Sequence, residues 1–201
     1  MTSTSIQASV CALALIAASP ALANDATEGK RGDVNVFLKG GLGDYTGDLG
    51  DLTDTGPAWG LTLNVQPTTF LGFEVGYEGS RNGLDDIRLL GDGPAIVRQG
   101  GSALVKLSPP LFTGVRPFVG AGFGLTYVDV RGTGIGGLYD SDTQEELPVA
   151  AGLEFNSGAL TAGLRATWRL LLDDDFARGA MNGEDVKGGL LDGSVTLGAR
   201  F

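Results

Sequence analysis

After a mixed N-terminal region, the chain from residue 33 onward alternates apolar and polar positions with a period of two. Side chains on a β-strand point to opposite faces in turn, so this pattern predicts strands that are apolar on one side only. Eight such segments can be read: residues 34–41, 58–66, 70–79, 95–107, 115–128, 147–155, 159–170 and 193–201. The fifth is the cleanest, with Val119, Ala121, Phe123, Leu125 and Tyr127 opposing Gly120, Gly122, Gly124 and Thr126. The eighth sets Val195, Leu197, Ala199 and Phe201 against Ser194, Thr196, Gly198 and Arg200. The fourth is irregular. Its outer set of Val97, Ala103, Val105 and Leu107 leaves Gln99 and Leu104 out of phase.

The connections between segments carry a second rhythm. Those at 67–69, 108–114 and 156–158 are short, whereas those at 42–57, 80–94, 129–146 and 171–188 are long. Strict alternation of long and short connections is what an up-and-down barrel in a membrane requires, and a sandwich has no reason to keep it. The fold class read from the sequence is therefore all-β: an eight-stranded antiparallel up-and-down transmembrane β-barrel with both termini periplasmic.

Alternation alone does not say which face is inside, since a soluble eight-stranded binding barrel buries its apolar side. Bulk decides the question. The apolar face carries Trp59, Phe73, Tyr77, Phe123, Tyr127, Phe155, Trp168 and Phe201, too much volume for so narrow a lumen. The opposite face is mostly Gly, Ser, Thr and Asn with a few charges. Trp59, Tyr77, Tyr127 and Trp168 fall near the long loops, while Phe155 and Phe201 fall near the short turns. Together they form candidate membrane-interface girdles.

The remaining sequence fits that picture. Residues 1–23 read as a signal peptide, with an apolar stretch from Val10 to Ala17 and an Ala21-Leu22-Ala23 cleavage site. Residues 24–32 read as a short periplasmic lead-in, and 33–201 as the barrel. The single cysteine, Cys11, lies inside the signal, so the processed chain has no disulfide and no thiolate metal site. No later stretch is apolar for long enough to cross a bilayer as a helix. A net charge of −10 argues against nucleic acid as a partner.

Two groups of residues bear on function. Inward-facing charges on the strands are Lys39, Arg98, Lys106, Arg116, Arg165, Arg169 and Arg200 against Glu74, Glu78, Glu154 and Asp192. Charges inside a narrow lumen must be paired or hydrated. A lumen ion-pair network is expected from Lys39, Glu74, Glu78, Lys106, Arg116, Glu154, Arg165, Arg169 and Arg200, and its cation excess would make any open pore favour anions. The long loops hold 17 of the 24 acidic residues and only 5 of the 14 basic ones. Repulsion and solubility account for that, with weak Ca²⁺ or Mg²⁺ binding by loop carboxylates as the sharper reading. No other cofactor and no metal centre is expected. The chain contains no histidine, the usual general base, and nothing in its spacing suggests a catalytic site.

The C-terminal alternation ending in Phe201 resembles the signal that the outer-membrane barrel-assembly machinery reads. Val115-Arg116-Pro117-Phe118-Val119-Gly120-Ala121-Gly122-Phe123-Gly124 resembles a strand common in small outer-membrane barrels similar to the OmpA transmembrane domain and the OmpX/Ail and porin-like families. Leu71-Gly72-Phe73-Glu74-Val75-Gly76-Tyr77 resembles their third strand. The resemblance implies an integral protein of a Gram-negative outer membrane, in contact with outer-membrane lipid and lipopolysaccharide. It specifies architecture rather than activity. A non-enzymatic structural or surface-interaction role is expected, with a narrow passive channel for small solutes as the alternative.

Overall fold

A computed structural model describes residues 33–47, 50–84, 95–109, 114–131, 142–172 and 188–201. The expected signal peptide, the lead-in and most carboxylates of the long loops lie outside the described residues. The strands are β1 (Asp33–Gly47), β2 (Gly56–Gln66), β3 (Leu71–Gly83), β4 (Ala95–Leu107), β5 (Val115–Arg131), β6 (Asp142–Ser157), β7 (Leu160–Leu171) and β8 (Gly188–Arg200). Each pairs antiparallel with its sequence neighbours, and β8 returns to β1 from Asn35↔Arg200 to Gly47↔Gly188, so the barrel is closed. Closure leaves no sheet edge unpaired, as a wall immersed in lipid demands. The β6–β7 connection is the tightest. Ser157 pairs with Leu160, and Gly158 (φ +60°) fills the position that a type II′ turn reserves for glycine.

The expected orientation is observed through the middle of the barrel. Leu38, Phe73, Val75, Val105, Phe123, Leu125, Leu164 and Leu197 point outward and are exposed. Asn64, Thr62, Glu74, Lys106, Thr161 and Thr167 point inward and are buried. The girdle residues Trp59, Tyr77, Tyr127, Phe155 and Trp168 are all outward and exposed, and Phe201, just after β8, is exposed as well. Each tryptophan lies over a glycine of the adjacent strand. A Cβ added to Gly79 or Gly189 would stand 2.7 Å from the indole of Trp59 or Trp168.

Three sequence expectations need correction. First, β4 has no phase break. Gln99 faces outward, where its Oε1 accepts a hydrogen bond from the Tyr77 hydroxyl at 2.9 Å. Leu104 faces inward, buried with Phe118 and Ala150. Second, two of the upper girdle residues, Tyr77 and Tyr127, lie well inside their strands. Tyr77 is followed by Glu78–Gly83 within β3, and Tyr127 by Val128–Arg131 within β5. Third, the strands intrude into segments read as loops, so Asp44, Asp129 and Glu145 belong to the wall.

This added wall forms a collar at the long-loop end, and its polarity is inverted. Tyr45, Ile96, Val128, Val130 and Leu190 point inward and are buried, while Asp44, Arg81, Thr143 and Glu145 are exposed on the outside. Backbone alternation is unbroken. The apolar residues have moved to the opposite parity, as between Tyr127 and Val128 on β5 and between Leu42 and Tyr45 on β1. A wall with water outside and an apolar filling inside is the arrangement of a soluble barrel. The segment between β1 and β2 folds against this collar. A 3₁₀ turn at Gly50–Leu52 leads into a bridge between Thr53 and Leu84, and the Asn82 amide donates to Gly43 O at 2.8 Å and Asp54 O at 3.0 Å.

One rung region of the wall is incomplete. The β5–β6 pairing runs to Ala121↔Val149 and resumes at Gly124↔Glu146 in the same register. The gap falls at Pro148, which has no N–H to donate.

Candidate functional site in the barrel lumen

Ten charged side chains fill the lumen in two tiers. In the lower tier, Arg165 of β7 pairs with Glu74 of β3. Lys106 of β4 stands 2.6 Å from Glu154 of β6 and 3.8 Å from Glu74. In the upper tier Arg169 is the hub, pairing with Glu78, Asp192 and, at 3.3 Å, Glu146. Lys39 also pairs with Glu78, and Arg98 pairs with Glu146. The upper tier repeats the lower one at strand spacing. Glu78 and Arg169 lie four residues beyond Glu74 and Arg165, while Arg98 and Glu146 lie eight residues before Lys106 and Glu154, which is the same direction on descending strands. Even spacings preserve the inward face.

Topology turns two of these pairs into struts. In the ring of eight strands β3 and β7 are diametrically opposite, so Arg165–Glu74 and Arg169–Glu78 cross the full width of the lumen. Inward glycines make room for the side chains. A Cβ at Gly60 would stand 2.5 Å from Cε of Lys39, and one at Gly124 would stand 2.9 Å from Cγ of Glu146. Aromatic rings complete the coordination of the cations. The Lys106 ammonium lies 4.7 Å from the Phe118 ring centre and 5.8 Å from that of Phe37, and the Arg98 guanidinium lies 5.9 Å from the Tyr45 ring.

The structure brings seven of the nine expected network residues into these tiers: Lys39, Glu74, Glu78, Lys106, Glu154, Arg165 and Arg169. Arg116 and Arg200 are placed elsewhere, at the short-turn end. Arg116 donates to Gln66 Oε1 at 2.9 Å and to Thr69 O at 3.3 Å, and Arg200 is half-buried near the end of β8. The sequence reading also misassigned Glu146 to an acidic loop, although it is buried on β6 between Arg98 and Arg169. Its parity with Ala150, Gly152 and Glu154 was the available signal, obscured by the polar run Asp142-Thr143-Gln144-Glu145 just before it. With Glu146 counted and the two terminal arginines set apart, the tiers hold five cations and five carboxylates. The tiers themselves are balanced, and what cation excess the inner wall carries lies with Arg116 and Arg200 at the short-turn end.

A cavity of about 30 Å³ in the upper tier is bordered by Ser80, Arg98, Glu146, Arg169, Asp192 and Ser194. Among the described residues no cluster of three or more His, Cys, Asp or Glu side chains is arranged to hold a metal ion.

A closed barrel with rings and aliphatic side chains outward and paired charges inward is built for a bilayer, and defines the class: an integral membrane β-barrel. The chain belongs to the family described as "Outer membrane protein beta-barrel domain", which it matches over residues 9–201. No curated protein sequence matches it significantly. Solved structures with the same fold include Neisserial surface protein A (14% identity, TM-score 0.63, 85% of this chain and 100% of that one). The N-terminal barrel domain of Pseudomonas aeruginosa OprF is another (13%, 0.52, 85% and 100%). Ail, the attachment invasion locus protein of Yersinia pestis, is a third (13%, 0.51, 85% and 99%). At these identities the likeness is one of fold. The protein is thus an eight-stranded outer-membrane β-barrel.

Proposed function

We propose that this protein is a non-enzymatic barrel with a closed lumen, whose role is structural or surface-interacting and is exercised by its collar and acidic loops. The observation that carries the reading is the pair of arginine–glutamate struts crossing the lumen at two levels. Opening a path would require parting buried, fully compensated ion pairs, and stranding one partner of such a pair costs about 3–5 kcal/mol. The inward wall offers no histidine, and every charge of the two tiers is committed to a partner.

The alternative is a narrow passive channel. What favours it is the repeat in the network: Arg165 and Arg169 on one wall face Glu74 and Glu78 on the other, so an exchange of partners is geometrically available. Planar-bilayer recordings of the purified barrel separate the two. A silent membrane is expected, and steady, reproducible openings would replace the closed-lumen reading with the channel.

A further inference from the structure

On the outer wall, the boundary between belt and collar carries a polar run that neither the lumen nor the long loops account for. Gln99 of β4 stands opposite Gly79 of β3, and Tyr77 and Arg81 lie two residues to either side of that glycine on the same outward face. Diagonal neighbours of this kind have Cβ atoms about 7–8 Å apart, within reach of long side chains. The Tyr77 hydroxyl donates to Gln99 Oε1 at 2.9 Å, which leaves the amide nitrogen of Gln99 as the available donor. Trp59 closes the β2 side, its indole over Gly79. Below Gln99, Gly101 and Ala103 form a low strip on β4, walled by Tyr77 and Val75 on β3 and by Leu125 and Phe123 on β5.

Two members of this run call for a partner. Hydrocarbon offers nothing to an amide N–H, so Gln99 on the lipid-facing row needs an acceptor at the interface. Among the described side chains Arg81 is the only fully exposed cation, and it makes no ion pair with a described carboxylate. From the collar downward, the wall thus presents a guanidinium, then a donor amide, then an apolar strip one strand wide. A lipid has its phosphate, acyl carbonyl and hydrocarbon chain in the same order. We propose that Arg81, Gln99 and Tyr77 bind a net-anionic, phosphate-bearing lipid of the leaflet at the long-loop end. Its phosphate lies on Arg81, whose fork of N–H donors matches phosphate oxygens. An acyl carbonyl accepts from the Gln99 amide, and one chain follows Gly101 and Ala103. The patch is continuous with the wall already immersed in hydrocarbon, whereas a soluble anion would use Arg81 alone. The site lies outside the barrel, so it goes beyond the closed-lumen reading and holds whether or not the lumen conducts.

The chain's two tryptophans supply the test and its control. Trp59 borders the site, whereas Trp168 sits on β7, three strands away around the ring. Barrels keeping only one of them (Trp168→Phe or Trp59→Phe) are reconstituted in bilayers of phosphatidylglycerol and phosphatidylcholine, with bromine on the chains of one lipid or the other. Bromine quenches an indole it touches, so the quenching ratio gives the relative affinity of the two lipids at each place. At low salt, phosphatidylglycerol should be preferred at Trp59 by about fivefold, the effect of one cation near an anionic surface. At Trp168 no preference is expected. Arg81→Gln, a surface change, should abolish the preference at Trp59. Equal preference at the two tryptophans, or a preference that survives Arg81→Gln, would overturn the site. Loss of the preference on adding inorganic phosphate at constant ionic strength would replace the lipid with a soluble anion. Intact-mass measurement in neutral detergent checks the amide. Wild type should retain one phosphatidylglycerol and Gln99→Leu should lose it, and equal retention would remove Gln99 from the site.

Discussion

The belt of the barrel and its collar are continuous strands with opposite physical logic. In the belt, hydrocarbon solvates the outside, so Leu, Val and Phe face out and ten charges must neutralise each other within. In the collar, water solvates the outside, so Asp44, Arg81, Thr143 and Glu145 face out and Tyr45, Ile96, Val128, Val130 and Leu190 fill the interior. The same backbone alternation serves both regions. What changes at the boundary is the solvent, and the side chains exchange faces to match it. Stability should therefore answer to substitution in different ways above and below the tryptophan level.

The sharpest contrast is between a charge inside the belt and one outside the collar. Arg169→Met removes the hub that faces Glu78, Glu146 and Asp192, and should cost about 3–5 kcal/mol in reversible unfolding from lipid vesicles. Glu145→Gln, next to Glu146 in sequence but on the wet face, should stay within about 0.5 kcal/mol. If both substitutions cost the same, the tiers are not the cohesive element described here. A new charge on the outer wall gives the next largest effect. Leu164→Arg places a guanidinium on the lipid face of β7 and should cost about 2–4 kcal/mol if it lies near the bilayer midplane. Thr143→Arg on the collar should be nearly neutral by the same measurement.

Smaller deletions refine the comparison. Ile96→Val removes one methyl from the collar interior, where nothing replaces it, and should lower stability by about 0.5–1.5 kcal/mol. Val195→Ala removes methyls from the belt exterior, where acyl chains can close over the gap. Its effect should be the lesser of the two, and the reverse order would contradict the inverted packing. Smallest of all, Tyr77→Phe deletes the outer-face hydrogen bond to Gln99. Net hydrogen bonds contribute about 0.5–1.5 kcal/mol, and an exposed one belongs at the low end of that range.

The reach of sequence reasoning can be judged from particular residues. Lys39, Glu74, Glu78, Lys106, Glu154, Arg165 and Arg169 could be assigned to the lumen because each shares the parity of neighbouring glycines, serines or threonines. Leu104 looked out of phase only because an inward leucine was unexpected. It sits where Phe118 and Ala150 line the lumen with apolar surface. Glu146 was mistaken for a loop residue because it closes the polar run Asp142-Thr143-Gln144-Glu145, whereas Pro148 was already read as lying inside the strand. In a closed barrel that proline costs ladder bonds between β5 and β6, but both strands stay paired on either side of it and the register survives.

The primary structure alone determined the strand count, the closed up-and-down order, the lipid-facing side and the rhythm of long and short connections. The strands follow from local periodicity, their order from the spacing between segments, and the lipid-facing side from the bulk carried on the apolar face. Tertiary structure decided which charges meet, because partners on β3 and β7 become neighbours only when the sheet closes and sets them across one another. It also decided where the apolar residues change sides. The height at which lipid gives way to water belongs to the assembled barrel in its membrane, and no short stretch of sequence records it.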